Sequence, residues 1–377
     1  MHDRAALGSA DVTDESLSSM VAALLGVAIS SVAVVDSTAE PVSYDIPAIT
    51  TGGRWWVSGT AHVDGETRPF RLFVKQVHEW SRSPFFADVP AEMQPWAAQQ
   101  VPWRTEGAVY RSDLVDHLPP GLAMPRAVGV HDIDDLSYSV WLEVVPIVEV
   151  AWDLDRYRRA GKLLGRFAGS RAVRDRANVG GHEWDVSRYV DGRLKFQVLP
   201  MLASDDLWHH PLIAGAFADL RPRLDQAAAS VDAVAAELMA LPVLAGHGDA
   251  CPNNLLVTTG DDFTMIDFGF FTALPVGFDL GQLLVGDVQI GLRPADDMAE
   301  RDTASLTSYV DGLAAEGVDI DEQVVRRAHA LQLLLFTGLS ALPFELLGAE
   351  PTEQVRAMAA TRAAIARYSL DLVDQTG

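Results

Sequence analysis

The chain has 377 residues, room for two domains on the usual scale of roughly 100–200 residues each, and its 49% apolar and 21% charged residues are those of a folded protein rather than a disordered one. A formal charge of −23 argues against a nucleic-acid partner, because such binding is driven by neutralising phosphates with Lys and Arg. The single cysteine, Cys251, excludes an internal disulfide.

Neither greasy stretch reads as a membrane span. Val21–Val35 is short and broken by Gly26, Ser30 and Ser31, and Ala330–Leu347 carries Gln332, Pro343 and Glu345, which a bilayer penalises. Both are expected to be buried core elements. The N-terminus lacks the basic and apolar regions of a signal peptide, so a cytoplasmic protein without a membrane partner is expected.

Thr13, followed by Asp14 and Glu15, opens a predicted helix that Gly26 closes. From Val32 the texture changes to strands. Trp56–Val63 and Phe70–Val77 flank Asp64-Gly65, a hairpin dipeptide, here predicted within a slightly longer loop. Phe70, Leu72 and Val74 alternate with Arg71, Phe73 and Lys75, the pattern of a half-buried strand. A helix is predicted over about 103–118, and Ser137–Val145 returns to strand composition before Pro146.

Beyond Pro146 the pattern is mainly helical: Asp153–Arg171, then long stretches over roughly 212–241, 297–316 and 321–342. One strand-and-turn island, Val243–Asp279, interrupts them. The expectation is an α+β chain of two parts, residues 1–143 small and β-rich, residues 144–377 larger and mainly helical.

The island carries the chemistry. It reads His247-Gly248-Asp249-Ala250-Cys251-Pro252-Asn253-Asn254, then an apolar strand, then Met265-Ile266-Asp267-Phe268-Gly269. Two polar loops, each tied to an apolar strand, bring carboxylates at 249 and 267 and a carboxamide at 254. Phosphoryl transfer calls for such a set, since its loose transition state is stabilised mainly by positioning and charge neutralisation. Mg²⁺ prefers hard oxygen ligands and keeps several waters, so one carboxylate and one amide oxygen suffice beside the phosphates.

H-G-D-x-x-x-x-N followed by I-D-F-G resembles the aminoglycoside phosphotransferase / choline kinase superfamily, which has the bilobal protein-kinase-like fold. The resemblance implies that Asp249 is the catalytic aspartate and that Asn254 and Asp267 hold the metal. It also implies that His247 ties the catalytic loop to the metal loop and that Asp279, in Gly277-Phe278-Asp279-Leu280, braces that loop. The cofactors it implies are ATP or GTP with Mg²⁺, and the partner is a small-molecule acceptor. The acidic composition suits a cationic acceptor.

The first part of the chain adds corroboration through the same resemblance. Thr51-Gly52-Gly53-Arg54-Trp55-Trp56-Val57-Ser58-Gly59 is similar to the nucleotide-covering loop, where Gly52 and Gly53 would let backbone N–H groups approach phosphates, although the two tryptophans and the glycine spacing depart from G-x-G-x-x-G. Lys75, one of three lysines (with Lys162 and Lys195), stands where this fold places its phosphate-binding lysine. Glu106 is the preferred carboxylate partner, with Asp113 and Asp116 as rivals of shorter reach. Leu142 and Val144, flanking Glu143 at the connector, would offer backbone groups to an adenine.

Other motifs fail on spacing. Gly161-Lys162-Leu163 is not a Walker A loop, and His182-Glu183 and His209-His210 lack zinc partners. Cys251 has no companion His-Asn/Asp arrangement and is expected to pack rather than react. Asp287, Glu345 and the segment Asp296–Asp302 are candidates for facing an amine on the acceptor. A small-molecule kinase is therefore expected, and the alternative is a non-catalytic, nucleotide-binding regulatory pseudokinase.

Overall fold

The computed structural model describes residues 2–43, 48–181, 184–258, 260 and 262–377. The pair His182-Glu183 lies outside the described residues. The chain forms two compact units, one of Met1–Asp116 with Met124–Pro146, the other of His117–Ala123 with Ile147–Gly377. It is of mixed α+β type, with the first unit built on a sheet and the second on helices.

In the first unit, β1 (His2–Asp3) runs parallel to β2 (Val32–Pro41), and α1 (Asp14–Leu25) connects them. Thr13 caps α1 by accepting the Ser16 N–H, and Gly26, at φ 68°, ends it, as the sequence predicts. β3 (Thr51–Val63) and β4 (Glu66–His78) form the hairpin. Its turn is tighter than expected: Val63 pairs directly with Glu66, and Asp64 and Gly65 take φ 51° and 87°, the two-residue type I′ geometry. β5 (Leu122–Ala123) belongs to the second unit, while β6 (Ala127–Asp134) and β7 (Ser137–Glu143) complete the sheet in the order β1-β2-β3-β4-β7-β6.

The period-2 pattern of β4 sets its two faces. Phe70, Leu72 and Val74 enter a core with Leu17 and Val21 of α1, Val57 and Ala61 of β3 and Trp141 of β7. Burying an aliphatic side chain of this size contributes about 1.5–3 kcal/mol. Arg71, Phe73 and Lys75 take the other face, where Trp56 packs edge-on to Phe73 and beneath the Arg71 guanidinium. Val21–Val35 is only partly the buried element expected, since Ile29 and Val35 are exposed. Val35 lies on the less covered face of β2, and Ile29 lies in the turn Ile29–Ser31 that precedes the strand.

The helix predicted over 103–118 is shorter, α2 (Thr105–Arg111) followed by a separate turn at Leu114–His117. Ser112 ends it: its hydroxyl donates to Val109 O and accepts the Leu114 N–H, competing with the helical bonds.

In the second unit, β8 (Val243–Gly246) pairs antiparallel with β11 (Thr272–Pro275), and β9 (Leu255–Val257) with β10 (Phe263–Met265). Around these ribbons stand α3 (Leu154–Gly169), α4 (Phe278–Gln289), α5 (Met298–Ala315), α6 (Glu322–Leu333) and α7 (Glu353–Thr376). The helix expected over 212–241 is three pieces, Pro211–Phe217, Arg221–Ala229 and Val231–Ala240, because Pro222 can stand only in a first turn and Ser230 departs from helical geometry. α6 opens into a wider π-type turn at Leu334–Gly338, and Leu331, Leu333 and Leu335 are fully buried.

Candidate functional site

β8 and β10 end at the two polar loops. β8 runs into His247-Gly248-Asp249, and β10 runs through Ile266 into Asp267. A backbone bond from Ile266 N–H to Asn254 O, 3.0 Å long, joins the loops.

Asn254 is buried, and its side-chain nitrogen donates to Asp249 O at 2.8 Å and to Asp249 Oδ2 at 3.0 Å. Because both partners are acceptors, the nitrogen must face Asp249. The amide oxygen Oδ1 is then the atom turned elsewhere and suited to a cation.

His247 is fully buried and joins the same two loops. Nδ1 accepts the Asp249 N–H at 3.3 Å, so the proton resides on Nε2, which donates to Ile266 O at 3.0 Å. Burial, the largest influence, holds its pKa below the ordinary value, in keeping with the neutral ring these bonds require.

Asp279, in the first turn of α4, accepts the His247 and Gly248 N–H groups, each at 2.8 Å. Burial pushes its carboxyl upward, opposed by the His247 ring and these two amides.

Gly248 is required twice over. Its φ is +84°, and a Cβ there would stand 2.5 Å from both Cβ and O of Phe270. Asp267 is a non-glycine residue at φ 63°, ψ 62°, a left-handed conformation that costs about 1–2 kcal/mol and persists only where surroundings impose it. Cys251 lies close against α4, where a Cβ on Gly286 would fall 2.6 Å from its own Cβ, and burial pushes the thiol pKa well up. Such a thiol is a packing group and a poor nucleophile.

In the first unit, Lys75 Nζ lies 2.7 Å from Glu106 Oε2, with both side chains buried. Glu106 stands in the first turn of α2, while Asp113 and Asp116 are exposed. Tyr138 seats that helix: its hydroxyl donates to Trp103 O at 2.7 Å and accepts the Gly107 N–H at 2.9 Å. Sequence reasoning missed Tyr138, and its isolated place on β7 carried no signal.

Residues 51–59, read above as similar to a loop, are strand throughout. Gly52 is the bulged residue between the pairs Thr51–Val77 and Gly53–Gln76. Gly53 is covered by the Trp55 ring, which a Cβ would meet at 2.2 Å, so this glycine answers to a neighbouring aromatic. Leu142 is buried on β7, and Val144 follows the strand's end half-buried. His209 Nδ1 bonds Asp205 O and His210 Nε2 bonds Leu347 O. Glu345 is engaged by Arg362 at 2.9 Å and Asp297 by Arg301 at 2.6 Å, whereas Asp287 is buried on α4.

A family model described as the phosphotransferase enzyme family (APH) matches residues 76–314, well over half of the chain. The chain belongs to that family and is a phosphotransferase. The match takes in the whole His247–Asp279 island and begins one residue after Lys75. No curated protein matches significantly. Among solved structures, an aminoglycoside phosphotransferase from Alicyclobacillus acidocaldarius subsp. acidocaldarius DSM 446 shares the fold at a TM-score of 0.51 and 15% identity, over 89% of this chain and 97% of that one. An amicoumacin kinase crystallised with AMP-PNP and Ca²⁺ is similar at 0.47 and 14%, with 88% of each chain covered. A Plasmodium vivax ethanolamine kinase is similar at 0.42 and 10%, over 90% of this chain and 85% of that one. No helix among the described residues is long and apolar enough to cross a membrane.

Proposed function

We propose that this phosphotransferase is a Mg²⁺-dependent small-molecule kinase, moving the γ-phosphate of ATP or GTP to a hydroxyl of an aminoglycoside-like, amino-alcohol or sugar acceptor. The observation that carries the reading is the knot around Asp249. Asn254 holds both its main-chain and side-chain oxygens, His247 holds its amide, and Asp279 holds the two preceding amides.

In this reading Asp249 orients the acceptor hydroxyl and accepts its proton late, because little proton transfer is required before a loose transition state is reached. The metal would be held by Asn254 Oδ1 and the Asp267 carboxylate. Among the described residues no group of three or more His, Cys, Asp or Glu side chains is set to hold a metal alone. One carboxamide and one carboxylate fit Mg²⁺, which takes its remaining ligands from phosphates and water and, when bound, neutralises the phosphate charge. His247 and Asp279 support these groups without touching substrate.

On the nucleotide side, Lys75 steadied by Glu106 offers a compact positive charge to phosphates. Gly52 and Gly53 contribute through their backbones, as do Leu142 and Val144 toward an adenine. The net charge of −23 favours a cationic acceptor by steering.

The test is acceptor-stimulated ADP or GDP release across a panel of aminoglycosides, amino alcohols and sugars, with and without Mg²⁺, for wild type, Asp249→Asn and Asp267→Asn. Stimulated release that needs Mg²⁺ and falls by about 10² or more in Asp249→Asn is expected. Release unaffected by that change would remove Asp249 from the reaction. Nucleotide-induced thermal stabilisation with no release from any acceptor would favour the pseudokinase instead.

A further inference from the structure

Asp279 positions the loop before Asp249, and α5 supplies what positions Asp279. Its helix, α4, starts at Gly277, which has φ 78° and no side chain to cap the turn. The Gly277 N–H is instead taken by the hydroxyl of Tyr309, 3.1 Å away, on a residue of α5 that is 2% exposed. On the other side, α6 closes in. A Cβ on Gly277 would meet Val325 Cγ1 at 3.2 Å, and one on Gly281 would meet the Gln332 amide at 2.3 Å.

The placement of Tyr309 is itself fixed by contact between helix backbones. A Cβ on Gly161 would fall 2.3 Å from Ser305 O, one on Gly165 2.0 Å from Tyr309 O, and one on Gly312 2.1 Å from Lys162 O. α3 and α5 therefore touch main chain to main chain, which leaves Tyr309 no room to slide. Gly161, dismissed above as part of a phosphate loop, has its use here.

We propose that Tyr309 is a positioning residue for phosphoryl transfer: its hydroxyl holds the Gly277 turn, the turn sets the Asp279 carboxylate, and that carboxylate sets the His247-Gly248 amides that lead to Asp249. The proposal rests on the reading of Asp249 as the group that orients the acceptor. Catalysis of this kind depends on placement, where a small displacement of a reacting group is costly and substrate binding is touched little.

Tyr309→Phe removes one oxygen and leaves the Gly277 N–H without its partner. The expected result is a fall in kcat of roughly tenfold, with KM for nucleotide and acceptor near wild type. Tyr368→Phe is the control, since it removes a hydroxyl of the same helical unit whose bond is to Asp302 of α5, at 2.5 Å, and not to Gly277. That variant is expected to lower the melting temperature and leave kcat unchanged. Hydrogen–deuterium exchange supplies a readout that needs no turnover. Tyr309→Phe is expected to speed exchange in peptides covering 243–256 as well as 272–284, and Tyr368→Phe in neither. An unchanged kcat, a rise in KM that accounts for the loss, or acceleration confined to 272–284 overturns the positioning role. If wild type transfers phosphate to no acceptor, the kinase reading fails by itself, and the exchange pattern alone then decides whether Tyr309 sets the loop.

Discussion

The side-chain nitrogen of Asn254 holds Asp249 at two points, its carbonyl oxygen at 2.8 Å and its carboxylate Oδ2 at 3.0 Å. Residues five apart are thus made into one rigid unit, with the amide oxygen turned away from both. Asn254→Ala abolishes both bonds and the oxygen assigned to the metal. Stability should fall by about 1–3 kcal/mol in denaturant titration, and kcat/KM by on the order of 10²–10³. A variant with wild-type turnover would remove Asn254 from the site.

Lys75 and Glu106 form a buried ion pair, so neither charge tolerates the loss of its partner. Lys75→Met and Glu106→Gln should each cost about 3–5 kcal/mol, because a buried charge loses the partner that lies 2.7 Å from it. The double variant should be less destabilised than the sum of the singles, with coupling above roughly 1 kcal/mol in a double-mutant cycle. Simple additivity would show that the two side chains act independently.

His78 gives a pH signature. Burial, the largest influence, holds its pKa below the ordinary value of 6.5; a hydrogen bond to the Ile49 backbone opposes it, and the Arg82 charge adds to it. Unfolded His78 takes up a proton near that pH, whereas folded His78 does so only at lower pH. Between the two, the unfolded chain binds more protons, so this stabilisation is complete above about pH 6.5 and is lost as pH falls. His78→Gln should flatten the decline in stability measured from pH 7.5 to 5. An equally steep decline in the variant would assign the effect to other groups.

Cys251→Ala should leave kcat within about threefold of wild type and cost on the order of 1 kcal/mol for the space vacated beside Gly286. Slow reaction of the wild-type thiol with iodoacetamide at pH 8 is expected for the same reason, burial. Rapid alkylation accompanied by loss of turnover would reopen a nucleophilic role.

The local features were legible because their causes are local. Thr13 and Gly26 bound a helix through caps, Asp64-Gly65 closes a hairpin because both residues tolerate positive φ, and alternation along Phe70–Lys75 separates its two faces. The His247–Asp279 island is legible for a related reason: its carboxylates and carboxamide stand at set spacings, and spacing is written along the chain.

Propensity misled where side chains rewrite the backbone's bonds. Ser112 cuts short the helix after Arg111, and Pro222 and Ser230 divide what reads as one helix over 212–241. The 24-residue α7 shows little apolar period in the sequence because six of its positions are alanine, which is neutral to burial pattern until other helices lie against it. The segment Thr51–Gly59, similar to a nucleotide-covering loop, lies on strand β3, and its Gly53 makes room for the Trp55 ring.

The sequence by itself determined the family and the order of strands and helices around the island, and it singled out Asp249, Asn254, Asp267, His247 and Asp279 as candidates. Only the tertiary structure decided which of Glu106, Asp113 and Asp116 meets Lys75, that Asn254 bonds Asp249 twice, and that Tyr309 holds the turn carrying Asp279. Hydrogen bonds and close approaches between residues far apart in the chain are set by how helices and strands pack, and no spacing along one strand or helix encodes them.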